Sequence, residues 1–297
     1  MHKTNTAIFA NFFIDNKERY QRMKDSFYSF KDFNTKEWVI NIRGKFKLQA
    51  GEFLINQLSN NLHLSYLESK EGWHHDSKII SSKITSEYVF FWIEDHILIN
   101  NKNNLNLCIN EMKKNNVDQL WYTWYNKNSR NIFQIIRPKI KDTNITVYNL
   151  DKLSIQKIKK KIRRDFYIIS CPSIMSKNFF IKILSSDKPF LKRWPRRLPF
   201  DFEKKSNDFA FKNIRHALPN KELFASIDDD HGEPGYSLIS RGLYPNRISR
   251  EEIKSMEFGS KNQLKEKIIR LIPKKIKPIF AAPKNLFNRI LYTLNIL

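Results

Sequence analysis

The segment Glu87–Ile99, EYVFFWIEDHILI, is an apolar and aromatic run interrupted once, by Glu94, Asp95 and His96. Tyr88–Ile93 has the composition of a buried strand, so the polar residues stand at its carboxyl end, where open parallel sheets bind ligands. Carboxylates that leave water there cost free energy unless they are paired or hold a cation, and they suit Mg²⁺ or Mn²⁺ bound with substrate phosphates. We therefore expect a cation and diphosphate site. In the alternative, Glu94 and Asp95 cap or salt-bridge a loop and His96 packs in the core.

Strands and helices alternate around this segment. Strands are predicted at Thr6–Phe13, Glu37–Ile42 and Leu62–Leu67, and helices at Lys17–Phe30, Leu48–Leu58 and Asp76–Thr85. Such alternation predicts a largely parallel α/β sheet covered by helices on both faces.

The rest of the chain has a less regular pattern. Helices are predicted at Leu105–Lys114, Leu153–Arg164, Lys177–Leu184 and Asp208–Ala217, and strands at Leu120–Tyr125, Ile132–Pro138 and within Phe166–Met175. The composition changes at Lys261, so we predict one domain over residues 1–260 and a basic tail over residues 261–297. Three prolines cut this tail into two short amphipathic helices.

Composition limits the class of protein. The 297 residues are 41% hydrophobic, which is enough for a real core. There is no apolar run long enough to span a bilayer and no signal-peptide pattern at the N-terminus, so we expect a cytoplasmic protein. The two cysteines stand singly in apolar segments, which excludes a disulfide framework.

The net charge of +23 indicates either an anionic partner or a lysine-rich solvated surface. One hypothesis is a nucleic-acid-binding protein or metal-dependent nuclease that uses KIKKKIRR and RWPRR, although no helix-turn-helix, zinc-finger or RNA-recognition motif is present. The basic tail would suit an anionic membrane surface, or it could pack on the domain with its lysines outward.

The order of motifs resembles that of nucleotide-sugar glycosyltransferases with the GT-A fold, in particular the family 2 group. TAIFANFF and YQRMKDSFYSF match a first strand and a helix with a serine-rich turn, EWVINIRG a second strand, EGWHHDSKIISSKITSEY a donor-side helix, and VFFWIEDH the acidic metal motif. The resemblance implies a Rossmann-like sheet. It also implies transfer of a sugar from a nucleotide-sugar donor to a saccharide or lipid-linked acceptor, as in bacterial surface polysaccharide synthesis.

The resemblance also implies roles for single residues. Asp95 would be the principal ligand of Mg²⁺ or Mn²⁺, assisted by His96 and by His231 in a late loop. The implied contacts to the donor are Asn11, Arg43, Asp76, Glu94 and Arg241.

Two positions depart from the family pattern. His96 stands where a carboxylate is usual, and Asn41, Arg43 and Lys45 stand where aspartates usually bind the nucleoside. Arg43 could bind a phosphate or an acidic sugar instead. Asp76 has a second interpretation as the N-cap of its helix.

Sugar transfer with inversion needs a carboxylate base, and the segment LPFDFEKKSND offers candidates. These are Asp201, Glu203 and Asp208. The resemblance favours Glu203, with Asp208 also retained, while solvated loop charges are the competing interpretation for each. The three aspartates before His231 equally fit a solvated loop, since the EF-hand spacing is absent.

Overall fold

The computed structural model describes residues 4–33, 35–58, 61–124, 133, 135–162, 167–185, 202–203, 213–229 and 235–247. The chain divides into two compact units, Met1–Pro245 and Asn246–Leu297, and the described helices and strands lie in the first. The predicted boundary at residue 260, the tail, Asp208 and His231 lie outside the described residues. In the described part, no helix is long and apolar enough to cross a membrane.

The described elements alternate as predicted over the first hundred residues. The helices are Lys17–Phe30 (α1), Lys47–Gln57 (α2), Trp73–Ser81 (α3), Lys102–Lys114 (α4), Lys152–Ile162 (α5) and Lys177–Ser185 (α6). The strands are Thr4–Phe13 (β1), Thr35–Arg43 (β2), Leu62–Ser65 (β3), Tyr88–Phe91 (β4), His96–Leu98 (β5), Gln119–Trp121 (β6), Ile140–Lys141 (β7), Ile145–Leu150 (β8), Ser173–Ser176 (β9), Ile214–Pro219 (β10) and Phe224–Ser226 (β11).

Nine strands form one sheet in the order β3-β2-β1-β4-β9-β6-β10-β8-β7. β1, β2, β3 and β4 are mutually parallel, β9 lies antiparallel between β4 and β6, and β10 is parallel to β6. β5 and β11 form a separate antiparallel pair. The predicted fold class, a mostly parallel Rossmann-like sheet of the GT-A kind with flanking helices, is confirmed.

Alternating side chains of the central strands fill two cores. Ile8, Ala10 and Phe12 of β1 face a core that α1, α2 and α4 cover, whereas Ala7 and Phe9 face a core covered by α3, α5 and α6. This follows from the two-residue period of a strand. Each fully buried large apolar side chain contributes roughly 1.5–3 kcal/mol, so the two layers hold the sheet rigidly under the site.

Two predicted elements in the second half are wrong. In the predicted strand Ile132–Pro138, residues 133 and 135–138 are not in a strand. In the predicted helix Asp208–Ala217, the described residues from Ile214 onward belong to β10, which pairs with β6 on one side and β8 on the other. Pairing with two strands overrides the helical spacing of the apolar residues, because it satisfies the backbone of a fully buried segment.

Glu37 of β2 fastens the connection between α3 and β4. Its carboxylate accepts from Thr85 N at 2.8 Å, Thr85 Oγ1 at 3.0 Å, Ser86 N at 2.7 Å and Ser86 Oγ at 2.7 Å. Burial by itself raises the pKa of Glu37, but the hydrogen bonds from Ser86 and Thr85 outweigh it and lower the pKa below its ordinary value.

Glu37→Gln should lower the free energy of unfolding by about 1.5–3 kcal/mol at pH 7, because the NH₂ group of glutamine cannot accept the hydrogen bonds that Thr85 and Ser86 donate. The carboxylate of Glu37 stabilises the fold above the pKa that it has in the unfolded chain, and this contribution disappears as the pH falls through the lowered folded-state pKa. The difference between wild type and variant in urea denaturation should therefore shrink on acidification. A difference that does not change between pH 7 and pH 3 would contradict this account.

Candidate functional site

The interruption in the opening segment is a turn between two strands. β4 ends at Phe91, Glu94 and Asp95 form the turn, and β5 starts at His96. Two serines of α1, one helical turn apart, fix it. The hydroxyl of Ser26 donates to His96 O at 2.5 Å and accepts from Trp92 Nε1 at 2.9 Å, and the hydroxyl of Ser29 accepts from Leu98 N at 3.0 Å. The serine-rich end of the first helix therefore positions the acidic turn.

The two predicted metal residues of this turn contact each other. Asp95 Oδ1 lies 2.7 Å from His96 Nδ1, and the His96 side chain is buried whereas that of Asp95 is one-third exposed. Burial raises the pKa of Asp95, but His96, with help from Arg22 and Arg19, holds it below its ordinary value. Asp95 is therefore a charged carboxylate with one oxygen committed to an imidazole. The geometry makes His96 an orienting partner of Asp95, and its role as a metal ligand stays a prediction.

The described residues offer a divalent cation few protein ligands. They contain no group of three His, Cys, Asp or Glu side chains that could hold a metal, and within the described ranges no hydrogen bond involves Asp95 Oδ2. Mg²⁺ often binds through one or two carboxylates together with substrate phosphates. The described residues thus fit a cation shared with a diphosphate and do not form a complete protein cage.

Glu94 has a different environment from its neighbour. Arg19 Nη1 lies 3.7 Å from Glu94 Oε1 and donates to Phe13 O at 3.0 Å. Burial, reinforced by the charge of Asp95, raises the pKa of Glu94, although Arg19 opposes this. The two adjacent carboxylates therefore have pKa values displaced in opposite directions, which is typical of functional sites.

Arg22 links α1 to the late segment of the chain. Its Nε donates to Glu18 Oε1 at 2.9 Å and its Nη1 donates to Asp228 Oδ2 at 2.8 Å, and its side chain is 4% exposed. Burial by itself lowers the pKa of Arg22, but the charge of Asp228 and the hydrogen bonds to Asp228 and Glu18 outweigh it, and the charge of Asp95 adds to their effect. The pKa of Arg22 is therefore above its ordinary value. Sequence analysis missed this residue. Its only local signal is a Glu–Arg pair spaced by four within α1.

The late segment reaches the acidic turn directly. Ile227 N donates to Asp95 O at 2.8 Å, and Tyr244 OH donates to Asp25 Oδ2 of α1 at 2.5 Å. Arg241 pairs with Glu222, whose Oε2 lies 3.4 Å from Arg241 Nη1. Its guanidinium also lies 4.6 Å from the centre of the Tyr236 ring. The predicted contact of Arg241 to the donor phosphates stays a prediction.

Glu203, the predicted base, is affected by the charge of Asp229 in the same late segment. Its Oε1 accepts from Cys171 N at 3.0 Å, and the adjacent Phe202 is fully buried and anchors it. Burial raises the pKa of Glu203, and the charge of Asp229 adds to the increase. A carboxyl group with a raised pKa suits proton transfer near neutral pH. The catalytic role of Glu203 stays a prediction.

Two of the predicted donor contacts, Asn11 and Arg43, belong to a buried hydrogen-bonded network. Asn11 Oδ1 accepts from Asn41 Nδ2 at 2.9 Å and from Arg43 Nε at 3.0 Å, and Asn11 Nδ2 donates to Ser77 Oγ at 2.8 Å. Asn41 also pairs with both the N–H and the C=O of Leu67, at 2.7 and 2.9 Å. The amides of Asn11 and Asn41 thus fix the loop before α3, and the roles of Asn11 and Arg43 in donor binding stay predictions.

One predicted role near this network is wrong. Asp76 is not the N-cap of α3, because Gly72, at a φ of 89°, occupies the N-cap and the helix starts at Trp73. Because glycine tolerates a positive φ, Gly72 can serve as the N-cap, and the helix starts three residues before Asp76. Asp76 is fully buried in the first turn of the helix, with Oδ2 3.3 Å from Ser69 N.

Comparisons with known proteins give structural likeness only. No protein-family model matches the sequence, and neither does any curated protein. TarS of S. aureus, residues 1–349, shares 16% identity at a TM-score of 0.48, over 75% of this chain and 60% of that one. The same protein in complex with UDP-GlcNAc gives 17% identity and a TM-score of 0.46, over 75% and 58% of the two chains.

A third solved structure is the mannosyltransferase PcManGT from Pyrobaculum calidifontis in complex with GDP-Man and Mn²⁺. It shares 11% identity at a TM-score of 0.47, over 80% of this chain and 59% of that one. This chain thus spans about 60% of the first TarS structure. At these scores the fold assignment rests on the strand order described above.

Proposed function

We propose that this protein is a nucleotide-sugar-dependent glycosyltransferase. One observation carries the proposal: three distant parts of the chain converge at the carboxyl end of β4. Asp95 of the strand tip is hydrogen-bonded through its backbone to Ile227, Arg22 connects Asp228 to α1, and Asp229 raises the pKa of Glu203. A charged carboxylate that can hold a cation and a carboxyl group with a raised pKa that can take a proton are groups that sugar transfer uses.

In the proposed reaction Glu203 takes the proton of the acceptor hydroxyl. The acceptor oxygen then forms a bond to the anomeric carbon, and the bond from that carbon to the diphosphate oxygen breaks with its electron pair on the diphosphate. Mg²⁺ or Mn²⁺, held by Asp95 together with the donor phosphates, would neutralise charge on the departing nucleoside diphosphate. Arg22 keeps the late segment against the strand tip during these steps.

The finer parts of the proposal concern the partners. The acceptor would be a saccharide or a lipid-linked saccharide in bacterial surface polysaccharide synthesis, and His231 would add to the metal ligands from the late loop. The protein would work in the cytoplasm, with residues 261–297 against the inner face of the membrane. The cationic and amphipathic composition of that tail supports this location.

A thermal-shift panel of nucleoside diphosphates tests the donor site. With Mn²⁺, the preferred diphosphate at about 100 times its Kd should stabilise the native protein by about 2.7 kcal/mol and raise Tm by several degrees. Asp95→Asn should lose the part of the shift that depends on Mn²⁺. Asp32→Asn is the matched control, since Asp32 is exposed and pairs with Lys102 at 3.3 Å.

Two results would contradict the proposed function. One is the absence of a shift with any diphosphate. The other is tight, salt-dependent binding of nucleic acid without hydrolysis of any nucleotide sugar.

A further inference from the structure

The outer face of α5 is an exposed basic surface on the side of the sheet that carries α3 and α6. Among the residues of this helix whose burial the structure describes, the exposed ones are Lys152, Leu153, Gln156, Lys157 and Lys160. At 3.6 residues per turn, they fall within an arc of about 140°, opposite the fully buried Ile158. Leu153 lies between Lys157 and Lys160 in this projection and is 66% exposed.

The helix itself is well formed. Asp151 Oδ1 accepts from Ser154 N at 2.7 Å, which caps the first turn. Ile155 and Ile158 pack into the core that also contains Leu150 and Tyr148 of β8. Because its inner face is packed, α5 presents its lysines in a fixed arrangement.

Positive charge extends from this helix to the neighbouring edge of the sheet. Between residues 137 and 160 there are seven basic residues and two acidic ones, and Arg137, Lys139 and Lys141, in or before the edge strand β7, are exposed. One of the acidic residues, Asp142, is engaged by Lys114 Nζ at 3.0 Å. On α5 and the β7 edge the basic residues therefore clearly outnumber the acidic ones, and this surface has a net positive charge.

We infer that the outer face of α5 docks this protein on an anionic lipid bilayer. Lysines near an anionic membrane surface gain free energy from its negative potential, and their alkyl stems can reach along the interface. An exposed leucine among lysines favours a bilayer over a soluble polyanion, because only a bilayer has an apolar layer behind its charges. This inference is independent of sugar transfer, and it uses a surface other than the C-terminal tail.

Co-sedimentation of the full chain with vesicles tests the inference. Wild type should bind phosphatidylcholine vesicles that contain phosphatidylglycerol and should not bind pure phosphatidylcholine. Lys157→Glu/Lys160→Glu should weaken this binding by more than about tenfold, since each lysine at such a surface contributes roughly a fivefold change. Lys83→Glu/Lys221→Glu is the matched control, because it makes the same charge change at two other exposed positions.

Leu153→Ser separates a bilayer from a soluble polyanion. It should weaken vesicle binding severalfold while leaving binding of a single-stranded RNA unchanged, because it removes only the apolar contact. Equal loss in the control variant would mean that net charge alone drives binding. Unchanged binding in the α5 variants would assign docking to another segment such as the tail, and failure of wild type to prefer anionic vesicles would remove the docking surface altogether. Each of these three results overturns the inference.

Discussion

Glu203→Gln is expected to lower kcat for sugar transfer by a factor of about 10²–10⁴ and to leave donor binding almost unchanged. The glutamine keeps an oxygen for the hydrogen bond from Cys171 N, so the local structure should survive. What it loses is the ability to take a proton from the acceptor hydroxyl. The measurements are steady-state kinetics with the donor identified by thermal shift, and the Kd of the nucleoside diphosphate.

The pH profile gives an independent check on this role. A base works only when it is deprotonated, and burial together with Asp229 raises the pKa of Glu203 above its ordinary value of 4.5. The rate should therefore fall on acidification at a higher pH than an ordinary glutamate would give, and the residual rate of Glu203→Gln should lack this limb. Glu87→Gln, at an exposed carboxylate paired with Lys113, is the control. A variant with unchanged kcat, or one that retains the acid limb, would show that Glu203 is not the base.

The first hundred residues could be predicted because their signals are local. The helix Lys17–Phe30 was predicted with the bounds that the structure has, since its apolar spacing and its neighbours in sequence agree. The polar turn after β4 could be predicted equally well, because two carboxylates directly after a buried strand cost free energy unless they are paired or hold a cation. The order of these parts was therefore sufficient for the fold class and for Asp95 at the edge of the sheet.

The contacts that complete the candidate site have no local signal. Arg22 and Asp228 are 206 residues apart, and nothing near either residue specifies the other. In the sequence, Asn41 stands where the family usually has aspartates that bind the nucleoside. In the structure its amide pairs with the backbone of Leu67 and holds a loop. The segment Ile214–Pro219 has apolar residues at helical spacing, and only its pairing with β6 and β8 makes it a strand. Long-range pairing decides each of these cases.

Arg22→Met is expected to lower the free energy of unfolding by about 3–5 kcal/mol, the cost of leaving buried charges without their partner. The side chains of Glu18 and Asp228 are 4% and 13% exposed, so water cannot replace the guanidinium. Urea denaturation monitored by circular dichroism measures the change. The control is Lys102→Met, whose ion pair with Asp32 is about half exposed on both sides and should contribute less than about 1 kcal/mol.

Removing the whole charge cluster separates stability from function. Glu18→Gln/Arg22→Met/Asp228→Asn leaves no unpaired charge, so much of the stability lost in Arg22→Met should return. A loss in Arg22→Met no larger than in the control would mean that these carboxylates do not depend on Arg22. If the triple variant folds but has lost the Mn²⁺-dependent thermal shift with nucleoside diphosphate, then the cluster is needed to hold the late segment at Asp95 and not to stabilise the fold. In that case the ion pairs of Arg22 add little net free energy to folding, because their desolvation costs about as much as their attraction returns. Their role is to hold the late segment at Asp95.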